Sequence, residues 1–192
     1  MIILLNGPPG CGKDTAAEFI KKRLNCREYK FSAPLKSALR ELLSIDSDRW
    51  SQLLAYGAKD EPLLPQGVSI RQALIKLSEE YLKPMLGQDI FGHIAVRRMK
   101  RMVSASHIVV SDIGFTQEVV PILDEFTVKR IRILQISRTH CTFKDDSRGY
   151  IDVEQLKMVP YTKKIANKYD LELFEAQVVR VLKDWELIDE DD

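Results

Sequence analysis

Two periods alternate along this chain. Largely apolar runs at Ile2-Ile3-Leu4-Leu5, at His107-Ile108-Val109-Val110-Ser111 and from Ile131 to Ser137 read as strands covered on both faces, the pattern of a parallel sheet. Between them the apolar residues recur at helical spacing. Ala16, Ala17, Phe19, Ile20 and Leu24 mark a helix over 15–24; Leu35, Leu39 and Leu42 mark one that Pro34 opens and that runs to Leu43. Ser69 caps a third helix, reaching Leu82, with Ile70, Ala73, Leu74 and Leu77 facing inward. Further helices are predicted over 89–103 and 171–185, and short strands over 28–32 and 164–167. The pattern weakens from Ile45 to Gln66, where Gly57, Pro62 and Pro65 interrupt it, and the polar stretch from Thr139 to Tyr161 has no strong period. Strands alternating with helices predict an α/β fold of three layers, about five parallel strands with helices on both faces. Such sheets bind ligands beyond the carboxyl ends of their strands, so Asp112, Arg138 and the turn at residues 7–15 should converge there.

That turn reads Gly7-Pro8-Pro9-Gly10-Cys11-Gly12-Lys13-Asp14-Thr15 and stands between the first strand and the first helix. It matches a phosphate-binding loop, G-x-x-x-x-G-K, in which backbone N–H groups and a helix N-terminus wrap an anion and the lysine meets the terminal phosphates. The residue after the lysine is Asp14 where a hydroxyl is usual, and Thr15 follows one place later. In switch-type nucleotide hydrolases that hydroxyl binds Mg²⁺, so its displacement argues against a switch.

Length and composition narrow the setting. The chain has 192 residues, enough for one substantial core, and is read as a single domain with elaborations. Its 45% hydrophobic and 30% charged residues fit an ordinary globular protein. A formal net charge of +1 gives no field to gather nucleic acid or an anionic membrane, so neither is expected as a partner. Cys11, Cys26 and Cys141 are odd in number and lack metal spacing, as in a reducing compartment, and the N-terminus lacks the features of a signal peptide. A cytoplasmic protein is expected. His93, His107 and His140 show no ligand spacing. Arg97, Arg98, Lys100 and Arg101 form the densest basic run; with Ala95, Met99, Met102 and Val103 as the inward stripe they read as a solvated face. The acidic end, Asp189 to Asp192, reads as a solvated tail.

The order G-K-D-T followed by Ala16, Ala17, Glu18 and Phe19 resembles the phage-type deoxynucleoside monophosphate kinases, a branch of the P-loop nucleoside monophosphate kinase family. The likeness continues in Tyr29-Lys30-Phe31-Ser32-Ala33-Pro34-Leu35-Lys36, in Ser69-Ile70-Arg71 running on to Leu77-Ser78-Glu79-Glu80, in Gly87-Gln88-Asp89-Ile90-Phe91, in Val109-Val110-Ser111-Asp112, in Ile136-Ser137-Arg138 and in Asn167 ahead of Leu171-Glu172. It implies a core at about 1–30, 104–138 and 162–188, a helical acceptor-binding region at about 31–103 and a lid at about 139–161. The chain departs from that family at Gly114, where an Arg is usual, and at Ser78-Glu79-Glu80, which puts an acid in place of Thr.

The activity so implied is transfer of the ATP γ-phosphoryl group to a nucleoside monophosphate, with Mg²⁺ as cofactor. Gly10, Cys11, Gly12, Lys13, Asp14 and Thr15 would hold the ATP phosphates, while Lys36, Arg71, Glu80 and Asp89 would bind the acceptor. Arg138 and Asn167 would lie by the adenine. Lys13, Asp112, Arg138 and Arg148 would carry catalysis, with Lys144 beside them in the lid, and Asp14 and Asp112 would take Mg²⁺ through water. Each has a plainer reading: Asp14 complements a helix dipole, Lys36 and Arg71 are solvated helix residues, and Cys11 is a tolerated loop position. Another small metabolite as acceptor, or a nucleotide-dependent switch, remains open from the residues alone, and so does a homodimer.

Overall fold

The structure, a computed structural model, describes residues 1–55, 58–62, 67–102, 106–144, 146–168 and 170–189. The strands are β1 (Ile2–Asn6), β2 (Cys26–Tyr29), β3 (His107–Ile113), β4 (Ile131–Arg138) and β5 (Tyr161–Asn167). The helices are α1 (Lys13–Arg23), α2 (Ser32–Leu42), α3 (Ser47–Leu54), α4 (Ile70–Ile75), α5 (Lys83–Leu86), α6 (Ile90–Met99), α7 (Thr116–Glu125) and α8 (Leu171–Asp184), with a π-helical stretch, Lys76–Leu82, between α4 and α5. Two compact units make up the chain: Met1–Lys30 with Phe91–Asp192, and Phe31–Ile90.

The first unit holds one sheet in the order β2-β3-β1-β4-β5, every neighbouring pair parallel. β1 is central because its first four residues are aliphatic, and all five of its residues, Asn6 included, are buried. Ile3 and Leu5 point into a core shared with Val109, Leu134 and Ile136, with Ala16, Ala17, Phe19 and Ile20 of α1, and with Phe174, Val178 and Leu182 of α8. Phe19 and Phe174 meet edge to face with centroids 6.0 Å apart. Truncating a ring so enclosed costs about 3–5 kcal/mol. The connection from β3 to β4 crosses the sheet in the direction opposite to that from β1 to β2. Right-handed crossovers therefore place α7 on the other face from α1. Helices thus cover both faces of a five-stranded parallel α/β sheet.

Several boundaries differ from the sequence expectation. β2 spans Cys26–Tyr29 rather than 28–32, and α2 begins at Ser32, two residues before Pro34, which sits in the first turn where its missing N–H leaves no bond unmade. β5 starts at Tyr161, three residues before Lys164; its lysines and Thr162 hid an edge strand with little apolar signal. α3 occupies part of the stretch where the pattern weakens: Asp46 caps it by accepting from the N–H groups of Asp48 and Arg49 at 3.0 and 2.9 Å, and Trp50 and Leu53 are buried. Gly57 and Pro65 lie outside the described residues. α7 was not predicted, because Pro121 in its interior reads as a break, yet Val119 and Ile122 are fully buried. α6 ends at Met99, with Ala95 and Met99 buried, and Arg97, Arg98, Lys100 and Arg101 exposed as expected; Val103 lies outside the described residues.

The second unit is helical among its described residues and has a small core of Leu39, Trp50, Leu53 and Ile70. Ser69 caps α4 with a complete capping box, its hydroxyl accepting from the N–H of Gln72 while the Gln72 side chain accepts from the N–H of Ser69. No helix among the described residues is long and apolar enough to cross a membrane.

Candidate functional site

The turn after β1 is built by two glycines in left-handed conformations. Gly10 has φ 76° and Gly12 φ 106°, and Gly12 is the residue from which α1 starts. A Cβ on Gly12 would stand 2.7 Å from Nδ2 of Asn167 and 3.1 Å from the Phe174 ring, so both conformation and space demand glycine. The first helical turn leaves its N–H groups facing the loop, where the dipole favours an anion.

Lys13 is buried, and its ammonium donates to the carbonyls of Gly7 at 2.6 Å and Pro8 at 2.7 Å, lying 3.8 Å from Sγ of Cys11. Burial lowers its pKa. The same burial raises that of the Cys11 thiol against the nearby Lys13 charge, which makes Cys11 a poor nucleophile.

Two residues expected near the adenine hold the loop from behind. Asn167, buried at the end of β5, donates from Nδ2 to the carbonyl of Cys11 at 3.0 Å, and Arg138, at the end of β4, donates from Nη1 to the carbonyl of Gly10 at 3.1 Å. Strands β4 and β5 are thereby laced to the turn after β1 at consecutive carbonyls.

Asp14, exposed at the start of α1, accepts from Lys30 at 2.8 Å. Lys30 also lies 3.3 Å from Glu28. Ser111, buried on β3 next to Asp112, donates to Glu28 at 2.7 Å, and Lys21 approaches the other oxygen at 3.4 Å. Burial alone would raise the Glu28 pKa, but the Ser111 hydroxyl and the two ammonium groups outweigh it and hold the carboxyl below its ordinary value. For Asp14 too, the hydrogen bond and charge of Lys30 overcome burial. The pairings of Glu28 with Ser111 and of Lys30 with Asp14 escaped the sequence reading, for neither charged residue signals in the sequence which distant partner it meets.

Asp112 is half-buried near the end of β3. Arg148, from the segment after β4, feels its charge and that of Glu118, and in turn lowers the Lys13 pKa. The base of that segment is sewn to the sheet. Asn6 donates from Nδ2 to the carbonyls of Ile113 at 3.1 Å and Gly149 at 3.0 Å and accepts the N–H of Ile151 at 2.8 Å; Gln135 donates to the carbonyl of Ile151 at 2.8 Å. Sequence reasoning passed over Asn6 and Gln135, although Asn6 closes an otherwise aliphatic strand and Gln135 stands between Leu134 and Ile136, which was the available signal. Lys144, in the same segment, is exposed.

In the helical unit, Arg71 grips the carboxylate of Asp60 with Nε and with Nη2, the latter at 3.1 Å. Lys36 and Asp89 are half-buried and Glu80 is exposed. Beside Glu80 the π-helical turn carries a pair the sequence did not suggest: Lys83, 2% exposed, reaches Glu79 at 3.0 Å, and Ser78 donates to the same carboxylate at 2.7 Å.

Among the described residues no three His, Cys, Asp or Glu side chains form a group able to hold a metal directly. Asp14, exposed at the start of α1, and Asp112, half-buried near the end of β3, are single carboxylates of the kind that would meet a hard cation through its waters, so their chemistry fits Mg²⁺ held in that form.

No protein-family model matches the chain. A protein of Acanthamoeba polyphaga mimivirus named "Putative deoxynucleotide monophosphate kinase" is 25% identical over 195 residues, an alignment spanning 93% of this chain and 94% of that protein. Two solved structures similar to this chain are the tunicamycin resistance protein of Deinococcus radiodurans, at 13% identity, a TM-score of 0.46 and 94% of each chain, and dephospho-CoA kinase from Campylobacter jejuni, at 13% identity, a TM-score of 0.46, 95% of this chain and 96% of that one.

Proposed function

We propose that the chain is an ATP-dependent kinase that phosphorylates a nucleoside monophosphate, a deoxynucleotide above all, to the diphosphate. The observation that carries this reading is the loop itself: left-handed Gly10 and Gly12, the free amides of the α1 N-terminus and the buried Lys13 ammonium together make a cradle for a polyphosphate. The mimivirus relative, by its name and near full-length alignment, supports the monophosphate acceptor.

In this reading the loop amides and Lys13 bind the β- and γ-phosphates, Lys13 leaving its carbonyl partners for the anion. Asp14 and Asp112 would accept hydrogen bonds from the waters of Mg²⁺, which when bound with the nucleotide neutralises phosphate charge. Arg148 faces the charge that builds on the transferring group, and Arg138 with Asn167 keeps the loop in shape behind it. Arg71 and Lys36 would take the acceptor phosphate, for which the Asp60 carboxylate now on Arg71 is a chemical stand-in. No general base is needed, since a monophosphate oxygen is already anionic; positioning and fixed charge supply the rate.

The test is a coupled ADP-release assay with ATP against a panel of ribo- and deoxynucleoside monophosphates, on the wild-type chain and on Lys13→Met. Turnover with at least one nucleotide, reduced at least about a hundredfold in Lys13→Met, is the expected result. Failure to turn over any monophosphate, or full activity in the Met variant, would overturn the reading.

A further inference from the structure

Arg148 is seated with unusual completeness for an arginine in a polar segment. A Cβ on Gly114 would lie 2.5 Å from Cδ and 2.6 Å from both Cβ and Cγ of Arg148, so the arginine's stem rests flat on the glycine backbone just past β3 and no side chain fits at 114 beside it. On its polar side, the Asp146 carboxylate accepts Nε at 2.8 Å and Nη2 at 2.6 Å, the planar fork that locks a guanidinium in one orientation. The next residue is fixed too, Gly149 donating its N–H to the carbonyl of Gly114 at 2.9 Å and accepting from Asn6. Both side chains are largely covered, 27% exposed for Arg148 and 16% for Asp146, so solvent screens the pair only partly.

A guanidinium has five N–H donors, and the Asp146 fork uses two of them; the others are left for an anion. We infer that Asp146 and Gly114 are positioning residues that hold Arg148 as a fixed cation of the phosphate site, built into the resting protein and not delivered by closure of the segment after β4. The inference rests on the reading of the loop as a polyphosphate site and adds to it how a cation whose charge reaches Lys13 is kept in place. It also accounts for Gly114: a side chain there would displace the arginine.

The experiment is titration calorimetry of inorganic tripolyphosphate into the wild-type chain and into Arg148→Ala, Asp146→Asn, Asp146→Glu and the double variant D146N/R148A, with a thermal melt of each. Arg148→Ala is expected to weaken binding about tenfold or more. Asp146→Asn, which frees a long side chain that must then be ordered at each binding event, is expected to weaken it roughly three- to tenfold, with Asp146→Glu restoring part of the loss. In the Arg148→Ala background, Asp146→Asn should add nothing. That coupling is the readout a merely structural aspartate would not give. Wild-type affinity in a folded Asp146→Asn protein, or a loss that persists undiminished in the double variant, overturns the inference, and so does a wild-type chain that does not bind tripolyphosphate. If Asp146→Asn does not fold, Gly114→Ala decides: it should lose binding, and G114A/R148A should bind as Arg148→Ala does, whereas additive losses overturn the inference. Absence of turnover with every monophosphate would remove the kinase reading without altering these binding ratios.

Discussion

Gly12 shows how much a single missing methyl group can carry. Its φ of 106° is a region that an L side chain enters only with strain, at about 1–2 kcal/mol, and its pro-Cβ space is already filled by Nδ2 of Asn167 and the Phe174 ring. Gly67, at φ 74°, has no atom of the described residues beyond its chain neighbours within 4 Å of the same construction and would pay the strain alone. Gly12→Ala should therefore destabilise the chain clearly more than Gly67→Ala, the latter lowering the melting temperature by about 2–8 °C and the former by more. Because Asn167 must also give up its bond to the Cys11 carbonyl, Gly12→Ala should lose ATP binding, while Gly67→Ala should keep it. Equal thermal shifts in the two variants would show that crowding at Asn167 and Phe174 is relieved at no cost. Residue chemistry of this kind was legible in the sequence for the loop, since Gly7, Gly10, Gly12 and Lys13 stand together in one motif. It was not legible for Glu28, Lys30 or Asn6, whose partners lie farther along the chain, nor for Asp146, whose partner Arg148 is only two residues on but stands in a segment without period.

At the level of elements, the segment after β4 is where a sequence without period conceals a defined structure. Its polar letters say loop; its anchor is a polar pair, Asn6 and Gln135, buried at 0% and 6% exposure, the first at the end of the aliphatic run of β1 and the second between aliphatic residues of β4. Strand β1 was predicted well because hydrophobic burial announces itself, whereas what Asn6 does depends on which backbone groups arrive from residues 149 and 151. The same limit explains α7, whose Pro121 hides a helix that tertiary packing enforces, and α3, whose Asp46 cap and Trp50, Leu53 and Leu54 spacing did offer a signal. Asn6→Ala should leave the Ile113 and Gly149 carbonyls and the Ile151 N–H short of a buried partner, a cost of about 1–3 kcal/mol for each group left unsatisfied. Hydrogen exchange at the Ile151 amide should accelerate at least tenfold more than at β1 amides such as Leu4, because the segment detaches before the sheet opens. Uniform acceleration across β1 and residue 151 would mean that Asn6 supports global folding only and has no particular hold on the segment.

For the molecule as a whole, groups on or beside the edge strand β2 contribute to the dependence of stability on pH from both sides. Glu28 is held below the ordinary carboxylate value of 4.5 by Ser111, Lys30 and Lys21 in spite of burial, so its contribution is complete above 4.5 and disappears as pH falls through the lower folded-state value. Cys26 behaves in the opposite sense. Burial pushes its thiol from 9.0 up to about 11, so between those limits the unfolded chain releases a proton that the folded one retains, and stability falls as pH rises. Tyr29 extends the decline, its phenol pushed by burial from 10.0 up to about 12. With a formal net charge of only +1 at neutrality, general charge repulsion is small there, and local groups such as these should set the slope on either side of a plateau. Denaturant midpoints measured from pH 3 to 11 should then show Glu28→Gln flattening the acid limb, and Cys26→Ser flattening the alkaline limb from about pH 9 while leaving the acid limb unchanged. Tyr29→Phe should act only above about pH 10, which separates it from Cys26→Ser. An alkaline limb of the same steepness in Cys26→Ser and in wild type would place the responsible proton elsewhere, and would mean that the β2 edge admits water freely enough for its thiol to ionise as it does in the unfolded chain.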